Sequence, residues 1–276
     1  MPARILTAAD EPLVRELLAA DPVGNVFVGS RVDVGVLNPA GPGVLWGWPA
    51  ERPSALLHIG ANLVPVASEL DAIPAFVEAA GRRRTCQSIV GPSWLALPLW
   101  EALSQRWGSS YRDVREVRRR QPVMSLSAPP SIQADRRVRP ITIADFDSYL
   151  QASIAMYTEE VGNDPLAAGG GTGYRGYCRW LVETGRAFGV VENGRVIFKS
   201  DIGAASGGVA QIQGVWLDPR LRGRGLSTPA MAAVAEYVLA DYATASLYVN
   251  DFNIRAIRCY QRVGFRTVGE FATILY

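Results

Sequence analysis

The chain has 276 residues, of which 49% are hydrophobic and 20% charged, and its formal net charge is +2. This composition excludes an intrinsically disordered chain, and the near-neutral charge gives no overall attraction to nucleic acid or anionic lipid. The length predicts two domains of roughly 130 residues each. Prolines and glycines interrupt the uncharged stretches, and the first residues lack a basic start followed by an apolar run. We therefore expect a cytoplasmic protein with neither a nucleic-acid nor a membrane partner.

The three cysteines, Cys86, Cys178 and Cys259, are far apart and show no metal-ligand or redox spacing. An odd number of isolated thiols is typical of buried cysteines in a reducing compartment. We therefore predict no disulfide and no metal site.

The two halves of the chain begin with the same local pattern. The first half begins ARILTAADEPLVRELLAAD and the second begins RPITIADFDSYLQASIAMY. Each segment predicts a short strand, a Thr-x-Ala-Asp helix start (Thr7–Asp10 and Thr142–Asp145) and an amphipathic helix. The two helix starts lie 135 residues apart, about half the chain, which leaves open both an internal duplication and a chance match.

A seam lies between Met124 and Arg139, where the sequence MSLSAPPSIQADRRVR has two prolines and no helical periodicity. We predict an N-terminal domain at 1–128, a linker at 129–136 and a C-terminal domain at 137–276. The first domain is expected to contain helix, helix, strands, helix, strand and helix in that order.

The second half predicts hairpins followed by alternating helices and strands. The predicted strands are Ala187–Glu192, Val196–Ile202, Val209–Leu217 and Ser246–Asn250, the helices are Pro229–Asp241 and Asn253–Val263, and a final hairpin covers Phe265–Tyr276. This order indicates an α/β fold, with one mixed sheet of the α+β kind and helices on both faces.

The segment DPRLRGRGLSTPAM, Asp218 to Met231, joins a predicted strand to a predicted helix. Glycines in such a turn let backbone N–H groups face an anion, and the helix N-terminus adds further donors and partial positive charge. The lysine of a nucleoside-triphosphate loop and the G-x-G-x-x-G dinucleotide pattern are both missing. The turn therefore predicts another kind of phosphate site, with a solvated surface loop as the alternative.

A second motif, NDFNIRAIRCYQRVGF, runs from Asn250 to Phe265. Asn253 and Tyr260 are seven residues apart and share one face of the predicted helix, which Gly264 ends. Asn253 is also suited to the N-cap position.

Together the two motifs resemble those of the GNAT superfamily of acyl-CoA-dependent N-acyltransferases. The matching residues are Arg220, Gly223 and Gly225 in the Q/R-x-x-G-x-G/A loop, and Asn253, Ala256, Tyr260, Gly264 and Phe265 in the second signature. The resemblance covers about Arg137 to Tyr276 and implies a GNAT fold there. The first half resembles a degenerate GNAT-like repeat without a phosphate loop, which implies a tandem GNAT-like architecture overall.

The resemblance also implies that acetyl-CoA is the co-substrate. The residues it assigns to the coenzyme are Val215, Trp216, Leu217, Arg222, Gly223, Arg224, Gly225, Leu226, Ser227, Asn253 and Tyr260. The strand residues would pair with the pantetheine arm, and one of their N–H groups would polarise the thioester carbonyl. Tyr260 would donate a proton or a hydrogen bond to the departing thiolate, unless it is simply a core aromatic.

A base must remove a proton from an amine acceptor before attack. The family often uses a carboxylate on the central strand, but AQIQGVWL offers only Gln211 and Gln213 there. We favour Glu160 as the base, then Glu159, with Asp201 as a further candidate. Asp201 has an alternative role, because Lys199 two residues before it on the same strand face is a suitable ion-pair partner.

Several other segments are less specific. The glycine-rich AAGGGTGYRGY, Ala167 to Tyr177, predicts a loop over the acceptor site or a plain linker, and Tyr174 and Tyr177 are candidate acceptor contacts. His58, the only histidine, cannot supply a multi-histidine metal site, and we expect a core or surface role. The basic run Arg112–Arg120 is interleaved with acids and predicts a solvated face.

Three classes of function remain open. The leading one is acyl transfer from acetyl-CoA to a primary amine of a small molecule or protein by direct attack in a ternary complex. The second is a tandem-GNAT enzyme of another type, similar to mycothiol synthase or dependent on aminoacyl-tRNA. The third is a non-catalytic acyl-CoA-binding sensor. A homodimer is left open beside a monomer.

Overall fold

The computed structural model describes residues 1–162, 164–167 and 171–276. The first half contains β1 (Arg4–Ile5), α1 (Glu11–Ala19), α2 (Val26–Asp33), β2 (Val44–Trp48), β3 (Ala55–Ile59), β4 (Asn62–Val66), α3 (Ile73–Ala80), β5 (Ser88–Pro92), α4 (Ser93–Trp107), α5 (Ser109–Arg112) and β6 (Glu116–Leu126). The second half contains β7 (Arg139–Pro140), α6 (Phe146–Val161), α7 (Gly171–Glu183), β8 (Ala187–Glu192), β9 (Arg195–Ser206), β10 (Val209–Leu217), α8 (Ser227–Asp241), β11 (Thr244–Tyr248), α9 (Ile254–Val263) and β12 (Arg266–Leu275).

Apart from the one-turn α5, the two halves have the same order of elements. Each runs strand, two helices, three antiparallel strands, helix, strand, helix, strand. This correspondence favours duplication over a chance match of the two helix starts.

The helix starts are also alike in atomic detail. The carboxylate of Asp10 accepts the backbone N–H of Thr7 at 2.9 Å and pairs with the guanidinium of Arg4 at 2.6 Å. The same contacts recur in the second half among Thr142, Asp145 and Arg139. In both halves this cap fixes the start of the first helix against the edge strand.

All of the described strands form one 12-stranded sheet, in the order β1-β2-β3-β4-β5-β12-β6-β11-β10-β9-β8-β7. The first half contributes β1 to β5 in order from one edge, and the second half contributes β7 to β11 in order from the other edge. The last strand of each half, β6 or β12, lies across the centre of the sheet, beside the strands of the other half. Strand β12 pairs with β5 of the first half, and β6 pairs with β11 of the second. The halves have therefore exchanged their final strands, while β1 and β7, each two residues long, form the outer edges.

The cores follow the same exchange. Ala272 and Ile274 of β12 are fully buried in the cluster around Phe76 and Leu99 of the first half. Met124 of β6 is fully buried in the cluster beneath α8 and α9 of the second half. Each half thus buries apolar side chains that the other supplies. The domain boundaries at 128 and 137 remain a prediction. They fall between β6 and β7 in the sequence, but the sheet itself is shared by both halves of the chain.

Most of the predicted elements are present, and two differ. Phe265–Tyr276 forms a single long strand, β12, because it pairs with β5 on one side and β6 on the other. The predicted glycine-rich loop is helical from Gly171 onward, whereas residues 168–170 lie outside the described part of the chain. Among the described residues, no helix is both long and apolar enough to cross a membrane.

Candidate active site

The central feature of the second half is an opening in the sheet between β10 and β11. These parallel strands are paired only from Val209 to Gln211 on β10. On its other edge, β10 stays paired with β9 as far as Leu217, with register shifts after Gln211 and after Gln213. The β11-facing backbone groups beyond Gln211 are therefore outside the ladder, and an extended ligand can pair with them as an added strand would.

Gly214 sits in the second irregularity of β10 with φ +60°. A Cβ atom there would lie 2.6 Å from Asp201 Oδ2 and 2.9 Å from Lys199 Nζ, which is too close for real contacts. The bulge brings the backbone of β10 against a buried ion pair, and only glycine allows this approach.

That ion pair is part of a buried triad on α6 and β9. Lys199 Nζ donates to Asp201 Oδ2 at 2.5 Å, and Tyr149 Oη donates to Asp201 Oδ1 at 2.7 Å. Both oxygens of Asp201 are thus engaged, and burial raises its pKa. The predicted Lys199–Asp201 pair is confirmed, and Asp201 is placed beneath the strand as a support for the bulge.

The loop after β10 has the geometry of an anion site. Gly223 and Gly225 have φ of +78° and +77°, and a Cβ at either would meet nothing within 4 Å, so backbone conformation alone requires glycine there. Within the described chain, the backbone N–H groups of Gly223 to Ser227 donate to no protein acceptor. They lead directly into the N-terminus of α8, which adds partial positive charge.

The three arginines of this loop have different surroundings. The guanidinium of Arg220 pairs with Asp218 at 2.6 Å, and that of Arg222 pairs with both oxygens of Glu159, at 2.5 and 2.8 Å. Arg224 is exposed and, among the described residues, makes no ion pair. The free positive charge of the loop therefore comes from Arg224 and from the backbone.

Helix α9 carries the second motif. Asn253 is its N-cap, accepting the backbone N–H of Ala256 at 3.2 Å, and Gly264 ends the helix with φ +118°. The cap role of Asn253 is confirmed. Its side chain is exposed, and its contact with a coenzyme remains a prediction.

Tyr260 is the buried polar residue of α9. Its side chain is 7% exposed, and in the described chain its hydroxyl makes no hydrogen bond. Burial raises the pKa of Tyr260, with smaller contributions from the nearby charges of Cys259 and Glu160. The phenol therefore keeps its proton well above neutral pH and is available as a hydrogen-bond donor.

The two candidate bases at the end of α6 differ in their environment. Arg222 lowers the pKa of Glu159, which is held as a carboxylate in the ion pair, with Trp216 Nε1 close enough to lower it further. Surrounding protein atoms raise the pKa of Glu160, although solvent still reaches its side chain. The charge of Glu160 also raises the pKa of Tyr260, which places the two groups in one electrostatic environment. Of the pair, Glu160 has the unpaired carboxylate.

Two tyrosines of α7 are candidate acceptor contacts. Tyr174 donates its hydroxyl to the backbone oxygen of Ser153 at 2.9 Å, which ties α7 to α6. Tyr177 accepts from Gln213 Nε2 at 2.6 Å, next to the bulge of β10. Only Tyr177 therefore reaches the central strand.

The first half lacks each of these features at the corresponding places. The segment 67–72 between β4 and α3 reads ASELDA, with no glycine and with carboxylates at Glu69 and Asp71. The seventh residue of α4 is the buried Leu99, where the seventh residue of α9 is Tyr260. Among the described residues, a glycine-rich loop before the helix and a tyrosine at the seventh position of the next helix are thus found at these places in the second half alone.

Two family models match separate parts of the chain. Residues 170–265 match the family model described as Acetyltransferase (GNAT) family. The C-terminal half contains a GNAT domain. Residues 43–149 match a family described as a domain of unknown function, DUF4081. No curated protein matches the chain.

Solved structures resemble the GNAT domain and the first half together. A GCN5-related N-acetyltransferase from Sphaerobacter thermophilus matches with TM-score 0.59 and 16% identity, over 99% of this chain and 94% of its own. A tandem GNAT protein from the clavulanic acid biosynthesis pathway matches with TM-score 0.57 and 17% identity, over 98% and 97%. An acetyltransferase of the GNAT family from Colwellia psychrerythraea matches with TM-score 0.56 and 10% identity over 100% of both chains. At these identities the likeness shows the fold, and the predicted tandem GNAT architecture is confirmed.

Proposed function

We propose that this protein transfers an acetyl group from acetyl-CoA to an amine, by direct attack of the amine on the thioester in a ternary complex. The observation that supports this most strongly is the continuity of three features. The open edge of β10 runs into the glycine loop, the loop runs into the N-terminus of α8, and Tyr260 is buried on the adjacent α9. An extended thioester arm with a pyrophosphate at one end has this shape and charge distribution.

In this proposal the backbone of Val215, Trp216 and Leu217 pairs with the pantetheine arm. An N–H group at this edge polarises the thioester carbonyl and stabilises the oxyanion that forms on attack. The pyrophosphate is held by the backbone N–H groups from Gly223 to Ser227 and by the side chain of Arg224, whereas the backbone N–H of Arg222 is donated to the oxygen of Pro219. The guanidinium of Arg222 serves a different purpose, since its pair with Glu159 ties the loop to α6.

The acceptor nitrogen must lose two protons, and the leaving thiolate must gain one. Glu160 accepts the first proton from the ammonium form of the acceptor, a role for which a carboxylate with a raised pKa near the cleft is suited. The nucleophilic nitrogen then forms its bond to the acetyl carbon, and the carbon–sulfur bond breaks. Tyr260 donates its phenolic proton to the leaving thiolate, whose own pKa is about 8.5, and the second proton of the nitrogen, released as the amide forms, restores the phenol.

The acceptor is an amine of a small molecule or protein, and we infer a cytoplasmic location in which Cys86, Cys178 and Cys259 stay reduced. All three are buried and free of disulfides. The alternatives are a mycothiol-synthase-like or aminoacyl-tRNA-dependent enzyme and an acyl-CoA sensor without catalysis. The intact glycine loop favours acetyl-CoA over aminoacyl-tRNA, and the buried Tyr260 favours catalysis over a sensor.

The deciding experiment is calorimetric titration with acetyl-CoA of the native protein and of Gly223→Asp. A carboxylate about 4 Å from the pyrophosphate costs roughly 4 kcal/mol at an effective dielectric constant of about 20, so affinity should fall about a thousandfold. Gly194→Asp is a matched control. Gly194 has φ +72° and equally open surroundings, so this variant carries the same backbone strain and the same charge in a turn away from the loop.

Binding by the native protein and by Gly194→Asp, with loss in Gly223→Asp, supports the coenzyme site. An acetyl-transfer assay with an amine panel then separates an enzyme from a sensor. Absence of binding by folded native protein would refute the proposal and direct the same titration to aminoacyl-tRNA.

A further inference from the structure

A cavity lies where the first half of the chain meets the GNAT domain. This cavity, which we call the cross-half pocket, has a volume of about 410 Å³. Its walls include Phe27 and Arg31 of α2 and His58 of β3 on one side, and Tyr177 of α7 and Gln213 of β10 on the other. Helix α2 packs directly on β9 and β10, so the first half forms part of the cover over the central strand of the second.

Arg31 is a cation without a counterion among the described residues of this pocket. The hydrogen-bond partner that the described chain offers its guanidinium is Ser30 Oγ, at 3.4 and 3.5 Å, and the guanidinium lies 5.0 Å from the centre of the Phe27 ring. No described residue that lines the pocket is acidic. Desolvation lowers the pKa of Arg31, which indicates that its charge is poorly compensated. A half-buried, unpaired guanidinium is costly unless an anion from outside completes it.

Other groups in the pocket have unused hydrogen-bonding capacity. Tyr177 accepts a hydrogen bond from Gln213, so its own hydroxyl proton is free to be donated, and burial raises its pKa to about 12. His58 is 2% exposed, its Nδ1 lies 3.2 Å from the backbone oxygen of Asn62, and its Nε2 is buried with no partner. A ligand with both an anionic and a polar group would satisfy atoms that the protein leaves unsatisfied.

The pocket also lies beside the proposed reaction centre. Gln213 is two residues before Val215, so even fully extended chain would separate their Cα atoms by only about 7 Å. A small molecule held at Arg31 can therefore extend an amine toward the thioester carbonyl at the open edge of β10.

We propose that the cross-half pocket binds the acceptor through a carboxylate held by Arg31, so that the acceptor is an amine of the amino-acid class. This inference rests on the proposed acetyltransferase function. It assigns to the first half a role in selecting the acceptor, and to Arg31 the role of the residue that recognises charge.

The test compares acetyl transfer to the standard amino acids and to the carboxamide of each, which keeps the amine and removes the negative charge. Loss of a charge-assisted contact with Arg31 should cost roughly 10- to 150-fold. We expect the acids to exceed their amides in kcat/KM by this factor, and Arg31→Gln to abolish the difference mainly through KM. Arg31→Lys should restore part of it. The matched control is Arg83→Gln, which removes an exposed arginine elsewhere in the first half and should change nothing.

Calorimetry with acetyl-CoA and, separately, with the amino acids distinguishes the possible failures. If acetyl-CoA binds with normal affinity, any one of three results overturns this inference and leaves the proposed function intact. The rates for acids and amides are equal, the preference for acids is unaltered in Arg31→Gln, or no amino acid is acetylated. If acetyl-CoA does not bind, the proposed function fails. Amino-acid binding that Arg31→Gln leaves unchanged also overturns this inference.

Discussion

Replacing Tyr260 by phenylalanine removes one hydroxyl group from the centre of the proposed reaction. The phenol makes no hydrogen bond to a described protein group, so its loss should leave no orphaned partner and change stability by less than about 1 kcal/mol. In the proposed mechanism the same hydroxyl contacts the leaving thiolate, and a hydrogen bond to a charged group is worth about 1.5–3 kcal/mol. At about 1.36 kcal/mol for each factor of ten, kcat should fall roughly 10- to 150-fold.

The assay is steady-state acetyl transfer, with the acetyl-CoA affinity measured separately by calorimetry. We expect the affinity of Tyr260→Phe to stay within about threefold of the native value, because the hydroxyl acts on charge that develops only in the transition state. Tyr237→Phe is the control. Tyr237 lies on α8 and its hydroxyl makes only a long contact, 3.4 Å, with the backbone oxygen of Val138. A kcat for Tyr260→Phe within threefold of the control would refute Tyr260 as the proton donor.

Three further predictions concern carboxylates. Glu160→Gln should lower kcat/KM at least tenfold and abolish the acidic limb of the pH–rate profile. A base acts only when deprotonated, and the raised pKa of Glu160 moves that limb to higher pH in the native protein. An unchanged profile would exclude Glu160 as the base. Glu159→Gln should leave kcat within about threefold. Because Arg222 lowers the folded pKa of Glu159, the pair's small stabilisation, under about 1 kcal/mol for half-exposed groups, is present above the ordinary pKa of glutamate. Urea titrations should show this difference from Glu159→Gln disappear as the pH falls through the lowered pKa. Lys199→Met should destabilise the protein by about 3–5 kcal/mol, because it leaves the buried Asp201 without its charged partner. Lys199→Met with Asp201→Leu should recover most of this in denaturant unfolding, and a single variant as stable as the native protein would contradict the assignment.

The parts of this structure that the sequence predicts well are those set by local chemistry. The strands Ala187–Glu192 and Val209–Leu217 have the predicted bounds, because apolar residues with turn-forming neighbours define them directly. The cap of Asn253 and the helix end at Gly264 follow from the preferences of those residues for these positions. The buried Lys199–Asp201 pair follows from their spacing on one strand.

The features that the sequence does not predict depend on long-range contacts. The pattern of Phe265–Tyr276 predicts a hairpin because it does not reveal that distant partners, β5 and β6, occupy both edges of this strand. Arg31 carries no motif, and it becomes notable only because α2 packs over β9 and β10 of the other half. Its one local signal is a lone arginine in a largely apolar helix, VFVGSRVD, which is too common to identify a site.

The exchange of final strands between the halves has a consequence for how the chain folds during its synthesis. Leu275 pairs with Ser88 on one side and with Glu116 on the other, so strand β12 joins segments made long before it. Until β12 leaves the ribosome, β5 lacks a neighbour on its inner side and β6 lacks one as well, and both present open edges. We expect the nascent first half to stay incomplete until β12 has been made, and the sheet to form at the slow rate typical of sheets with distant partners.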